Sequence, residues 1–191
     1  MKKLLFGLIV TVLFSMPLFS QDINRLSKDA NFLSLVRNED EFIKKATDKE
    51  LLKVIYADKK LNDDELSTFY KVFSTNEKDF YEYIKTQNEL YNILNTKYNF
   101  EKYSKIELQT IFSVQIEEIY MSTSTSRSNC YRRYLNAIAI NASAAALGHT
   151  ACLSVDWTGI GAAVCHGSVF VAHIAANDNA YLDYKDCLNG E

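Results

Sequence analysis

The stretches CYRRYLNAIAINASAAALGHTAC (130–152) and CHGSVFVAHIAANDNAYLDYKDC (165–187) decide how this chain is built. Each begins and ends on a cysteine, the two cysteines lie 22 positions apart in both, and 13 positions separate Cys152 from Cys165. Twenty-two residues are about six helical turns with about 40° of residual rotation, so the two cysteines of a stretch share a face about 33 Å apart. A disulfide needs its Cα atoms within about 7 Å. If the stretches are antiparallel helices (130–154 and 161–188) joined by the turn Val155–Ile160, pairing Cys130 with Cys152 or with Cys165 has to cross that length. Of the three pairings four cysteines allow, only Cys130–Cys187 with Cys152–Cys165 survives.

The residues between the cysteines agree with this. Stepping by threes and fours from Cys130 gives Tyr134, Ala137, Asn141, Ala145, Gly148 and Cys152; the mirror positions are Asp183, Ala180, Ala176, Ala172, Val169 and Cys165. Most are small, which lets two helix axes approach more closely than usual. Tyr134 facing Asp183 is positioned for a hydrogen bond. Leu135, Ile138, Leu147, Val164, Phe170, Val171 and Ile174 fall off this seam and need another partner. The arrangement resembles the twin-cysteine helical hairpins of the mitochondrial CHCH proteins, in which two helices are stapled in the same nested way. The resemblance covers residues 130–187 and implies architecture alone.

Upstream the composition is different. From Gln21 to Met121 there is no glycine, proline or cysteine, and charged residues, tyrosine and phenylalanine dominate. Punctuation falls to capping chemistry: Thr47 with Glu50, Asn62 with Glu65 and Ser104 with Glu107 each place a capping residue three before a glutamate. Apolar residues at helical spacing follow each. About five helices are expected, near 24–46, 48–58, 63–73, 76–98 and 105–121. Tyr81, Tyr83, Tyr91, Tyr98 and Tyr103 suggest a stacking surface or, as helical aromatics more often do, a core. Asp58 to Glu65 lacks the glycine and alternating ligands of a calcium loop and reads as a solvated turn with a cap. Residues 122–129, rich in Ser and Thr, are expected to be a joint. Every cysteine and histidine, the tryptophan and all glycines but Gly7 lie beyond Ser128.

Residues 1–20 carry Lys2 and Lys3, an apolar run from Leu4 to Phe14 and a small residue, Ser20, before Gln21, the pattern of a secretory signal peptide. Export makes an even number of cysteines a disulfide framework. A His149/Cys152/Cys165/His166 metal site is the competing use. It requires reduced thiols and asks the adjacent Cys165 and His166 to face one ion. His166 and His173 share a helix face, and a pH response by buried histidines is conceivable there.

The net charge of −3 and the lack of a basic patch argue against nucleic acid. Nucleophile elbows, zinc-protease and phosphate-loop motifs are absent. Glu117 and Glu118 project about 100° apart on a helix, and His173 with Asp178 has no nucleophile. The expectation is an all-α protein with a charged, aromatic-rich helical region at 21–121, a linker at 122–129 and a stapled hairpin at 130–191. Its expected role is that of an exported, non-catalytic interaction or structural module of the cell envelope or secretome, with a protein partner and no cofactor or metal. The alternative starts from the absence of Asp, Glu, Lys and Arg over 134–155 and 159–177. It is a membrane-active, pore-forming or bacteriocin-like toxin whose Ala-rich hairpin enters a bilayer.

Overall fold

The computed structural model describes residues 22–56, 63–124, 128–152 and 159–190. The expected signal peptide, the Asn62 cap and most of the Val155–Ile160 turn lie outside them. Among the described residues the protein is all-α. Seven α-helices run in chain order: α1 (Ala30–Lys44), α2 (Lys49–Tyr56), α3 (Asp63–Val72), α4 (Glu77–Tyr98), α5 (Lys105–Thr123), α6 (Asn129–Cys152) and α7 (Gly159–Gly190). Short 3-10 turns cover Ile23–Lys28 and Phe100–Lys102.

Side-chain caps place most of these boundaries. Ser104 and Glu107 form the expected reciprocal capping box of α5, and Asn76 caps α4 through the Asp79 amide. With no glycine upstream, Asn99 takes the left-handed conformation that ends α4, at φ 53°. The expected box at Thr47 does not form. Asp48 caps α2 instead, accepting from the Leu51 amide at 2.9 Å, while Thr47 gives both its amide and its hydroxyl to the Val72 carbonyl at the end of α3. An end of α3 that would otherwise hold an orphan carbonyl thus takes Thr47 away from α2.

The single helix expected over 24–46 is broken at Asp29. One oxygen of Asp29 caps α1 through the Asn31 amide, and the other accepts from the Tyr98 hydroxyl at 2.9 Å and from Lys97. Burial raises the pKa of this carboxyl, but Lys97, Asn31 and Tyr98 together hold it below its ordinary value. A buried anion tied to α4 fixes the break more firmly than local helix propensity could close it. The Ser/Thr joint is also shorter than expected. α5 continues through Thr123, with Ser122 and Thr123 returning their hydroxyls to carbonyls one turn back, and α6 begins at Asn129.

The hairpin forms as the cysteines required. Cys130 is bonded to Cys187 and Cys152 to Cys165, with Cα–Cα distances of 5.7 and 5.6 Å. On the seam, Asn141 donates to Asn177 at 3.0 Å, and Gly148 lies so close to Val169 that a Cβ on the glycine would sit 3.0 Å from a Val169 methyl. Tyr134 does not turn to Asp183. Its ring stacks on Tyr184 with centroids 5.3 Å apart, because the aromatic face beside it offers more apolar contact than an exposed carboxylate does.

The bulky residues off the seam find two separate cores. In one, Leu147 and Ala139 of α6 pack with Leu26, Phe32, Leu94, Phe100 and Phe112. In the other, Phe170 and Ile174 of α7 pack with Phe42, Leu52, Phe69, Phe73 and Phe80. Phe42 stacks on Tyr83 and Phe73 with centroids 4.3 and 4.7 Å away. Each arm of the hairpin therefore commits its large residues to a different cluster, and both clusters draw residues from either side of the Ser/Thr segment.

Candidate functional site

Two places gather chemistry: a buried polar cluster at the inner end of the hairpin and an aromatic surface at its outer end. The cluster begins with α1. Phe32, Leu35, Val36 and Phe42 form a buried stripe at helical spacing, and Glu39 lies on that same stripe, only 5 % exposed. An ionised carboxylate in such a place needs donors. Glu39 Oε1 has His149 Nε2 and His173 Nδ1 each at 3.3 Å, and Oε2 accepts from the Tyr83 hydroxyl at 2.8 Å. Gln87 completes the surround, donating to the Leu35 carbonyl and to the Tyr83 oxygen.

Burial drives the Glu39 pKa upward, but His149 and His173 outweigh it and hold the carboxyl well below the ordinary range. Burial and the Glu39 charge push the Tyr83 hydroxyl well above its usual value, so it stays a donor. An ionised carboxylate only accepts, so His149 must donate from Nε2 and His173 from Nδ1.

The second nitrogen of His149, Nδ1, lies 2.9 Å from His166 Nδ1, and one proton between them makes that hydrogen bond. His166 is 1 % exposed, and its Nε2 is a buried polar atom without a hydrogen-bond partner. Burial, then the neighbouring His149, pull its pKa down to about 3. A cavity of about 30 Å³ borders Glu39, Gln87, His149 and His166 and reaches the partly exposed Asn88 and Thr150. This is room for about one water, too little for a substrate.

The residues singled out in the sequence distribute as follows. His149 and His166 meet, but the thiols of the competing metal set are consumed in the Cys152–Cys165 disulfide. Among the described residues no three His, Cys, Asp or Glu side chains are placed to hold an ion. His166 and His173 are both in the buried cluster, the first through His149 and the second directly on Glu39. Asp178 is not with His173; it pairs with Lys49 and Lys53 at 3.5 and 3.3 Å. Glu117 and Glu118 diverge, one accepting from Asn136 and the other from Ser27. Tyr83, Tyr91, Tyr98 and Tyr103 belong to the interior or its margin, while Tyr81 is 47 % exposed. Glu39, Tyr83 and Gln87 were not foreseen as a site. A lone glutamate on the apolar stripe Phe32–Leu35–Val36–Phe42 was the available signal.

The outer end is built differently. Beyond Ala180 no residue of α7 is buried. Tyr131 and Tyr134 of α6 meet Tyr181 and Tyr184 of α7 in edge and stacked contacts, with centroids 5.3–6.3 Å apart between the helices. Tyr181 and Leu188 remain about half exposed, at 48 and 45 %. The Cys130–Cys187 bond ties the two helices together beneath this surface. No helix among the described residues is long and apolar enough to cross a membrane. No family model matches the chain, and no curated protein or solved structure matches it.

Proposed function

We propose that this is an exported, non-catalytic helical protein that binds a protein partner through the tyrosine surface at the outer end of its stapled hairpin. The observation that carries the reading is that surface itself: four tyrosines from two helices, projecting past the last buried residue of α7 and held by a disulfide. Tyrosine gives large contact area with few rotatable bonds, and a backbone fixed in advance spares the entropy of ordering on binding. Two disulfides fit an oxidising extracellular or periplasmic setting, which agrees with a secretory reading of residues 1–20.

The test is in-cell crosslinking of the protein in its native producer, comparing the wild type with the Tyr181→Ser/Tyr184→Ser double variant. Under this reading one partner crosslinks to the wild type at the outer end and is lost at least tenfold in the variant, while the melting temperature hardly moves. Equal crosslinking by both proteins would overturn it. Dye release from liposomes by the oxidised protein would instead favour a membrane-active role.

A further inference from the structure

We propose that the Glu39–His149–His166 cluster is an acid-sensitive latch, which docks the stapled hairpin against α1 and lets it go when His166 takes up a proton. The geometry places the cluster across an interface. Glu39 belongs to α1, Tyr83 to α4, His149 to α6 and both His166 and His173 to α7. It is therefore a polar tie between the hairpin and the helices packed on it, lying between the two apolar cores.

The protons can be counted. With Glu39 ionised and His149 donating from Nε2, the single proton between His149 Nδ1 and His166 Nδ1, 2.9 Å apart, is a bond. With both rings neutral it belongs to His166, because His149 already carries its own proton on Nε2. A proton added to His166 leaves that contact bonded and goes to the ring's other nitrogen. A charged His166 also carries a proton on Nε2, an atom with no partner and no solvent. The proton at Nδ1 holds the latch, and a second on His166, at the unpartnered Nε2, opens it by burying an unpaired charge. The narrow cavity beside His149 and His166 gives that proton a way in from the Asn88–Thr150 surface.

Other titrating groups face the same place. On α1 are Glu39 and Asp40, with Lys44 acting on the Asp40 carboxyl; α4 presents Tyr83, α5 Tyr120, α6 His149 and α7 His173. Burial raises the Asp40 carboxyl more than the Tyr120 hydrogen bond lowers it, so Asp40 grows more favourable as pH falls and opposes the latch. Tyr83 and Tyr120 are both raised and keep their protons throughout.

The sign follows from where each proton binds first. His166 has a folded value of about 3 against an ordinary 6.5, so the open state binds protons first as pH falls from about 6.5. The stability His166 gives is complete above that value and is lost progressively toward pH 3. Glu39 is depressed from 4.5, so its share is kept above about 4.5 and lost only below it. Between pH 7 and 5 the response is thus a histidine response, and one proton over that interval lowers the docking equilibrium about 25-fold. The two staples do not titrate, so the hairpin stays closed while its docking weakens.

Hydrogen exchange of the full, oxidised protein, corrected for the intrinsic pH dependence of exchange, reads this directly. Protection of the α1 amides should fall about 25-fold from pH 7 to 5, while seam amides between the staples change less than threefold. His166→Phe should leave α1 protection level over the same interval. Parallel loss in α1 and the seam, or a slope unchanged in His166→Phe, overturns the latch. Ring-nitrogen NMR of the wild type needs no variant: His166 must remain neutral in the docked protein at pH 5, and a midpoint near 6.5 would refute the proposal.

Discussion

At its inner end the hairpin gives His149 and His166 to a buried cluster around Glu39, and at its outer end it gathers the part-exposed Tyr131, Tyr134 and Tyr184 and the exposed Tyr181. The two ends share one seam of small residues and one kind of crosslink. What differs is where their polar and aromatic groups are spent. The inner end buries ionisable groups, which is costly and leaves the protein sensitive to protons. The outer end leaves exposed the aromatic area that a core would have used. The crosslink is common to both ends, so it does not account for the difference between them.

The comparison breaks most sharply at Glu39. Glu39→Ala leaves His149, His173 and Tyr83 buried without their acceptor and should destabilise the protein by about 3–5 kcal/mol in urea unfolding. A loss below about 1 kcal/mol would mean that the cluster is not closed to water. Removing the inner staple with Cys152→Ala/Cys165→Ala restores the entropy of a short loop and should cost about 3 kcal/mol by the same assay. At the seam, Gly148→Ala brings a methyl within 3.0 Å of Val169 and should cost about 1–2 kcal/mol net, the overpacking being partly offset by the roughly 1 kcal/mol of helix propensity that alanine restores. Val169→Ala on that background should recover most of the loss if contact across the seam is its cause. Smallest of all, Tyr181→Ser with Tyr184→Ser at the outer end should cost about 0.5–1 kcal/mol in all, since the rings give up part-exposed contacts with Tyr131 and Tyr134 rather than core packing.

The hairpin was legible because its signals are covalent and periodic. Four cysteine positions and a run of alanines determine register, pairing and the close approach at Gly148 with little help from the rest of the chain. The capping box at Ser104 was legible for the same reason, being complete within four residues. Thr47 and Asp29 show where local reading stops. The partners that decide them, Val72 for one and Tyr98 with Lys97 for the other, are distant in sequence, and a tertiary hydrogen bond outweighs a cap that is merely available. The Glu39 cluster needed α1, α4, α6 and α7 brought together. The histidines were visible one by one in the sequence, whereas the carboxylate that organises two of them lies more than a hundred residues away.

The nested arrangement of the disulfides also has a consequence for the protein's lifetime among proteases. Cys130–Cys187 encloses Cys152–Cys165, so a single cut anywhere between residues 130 and 187 separates no fragment. A chain nicked there keeps its full mass until a reductant arrives, and its two helices stay side by side.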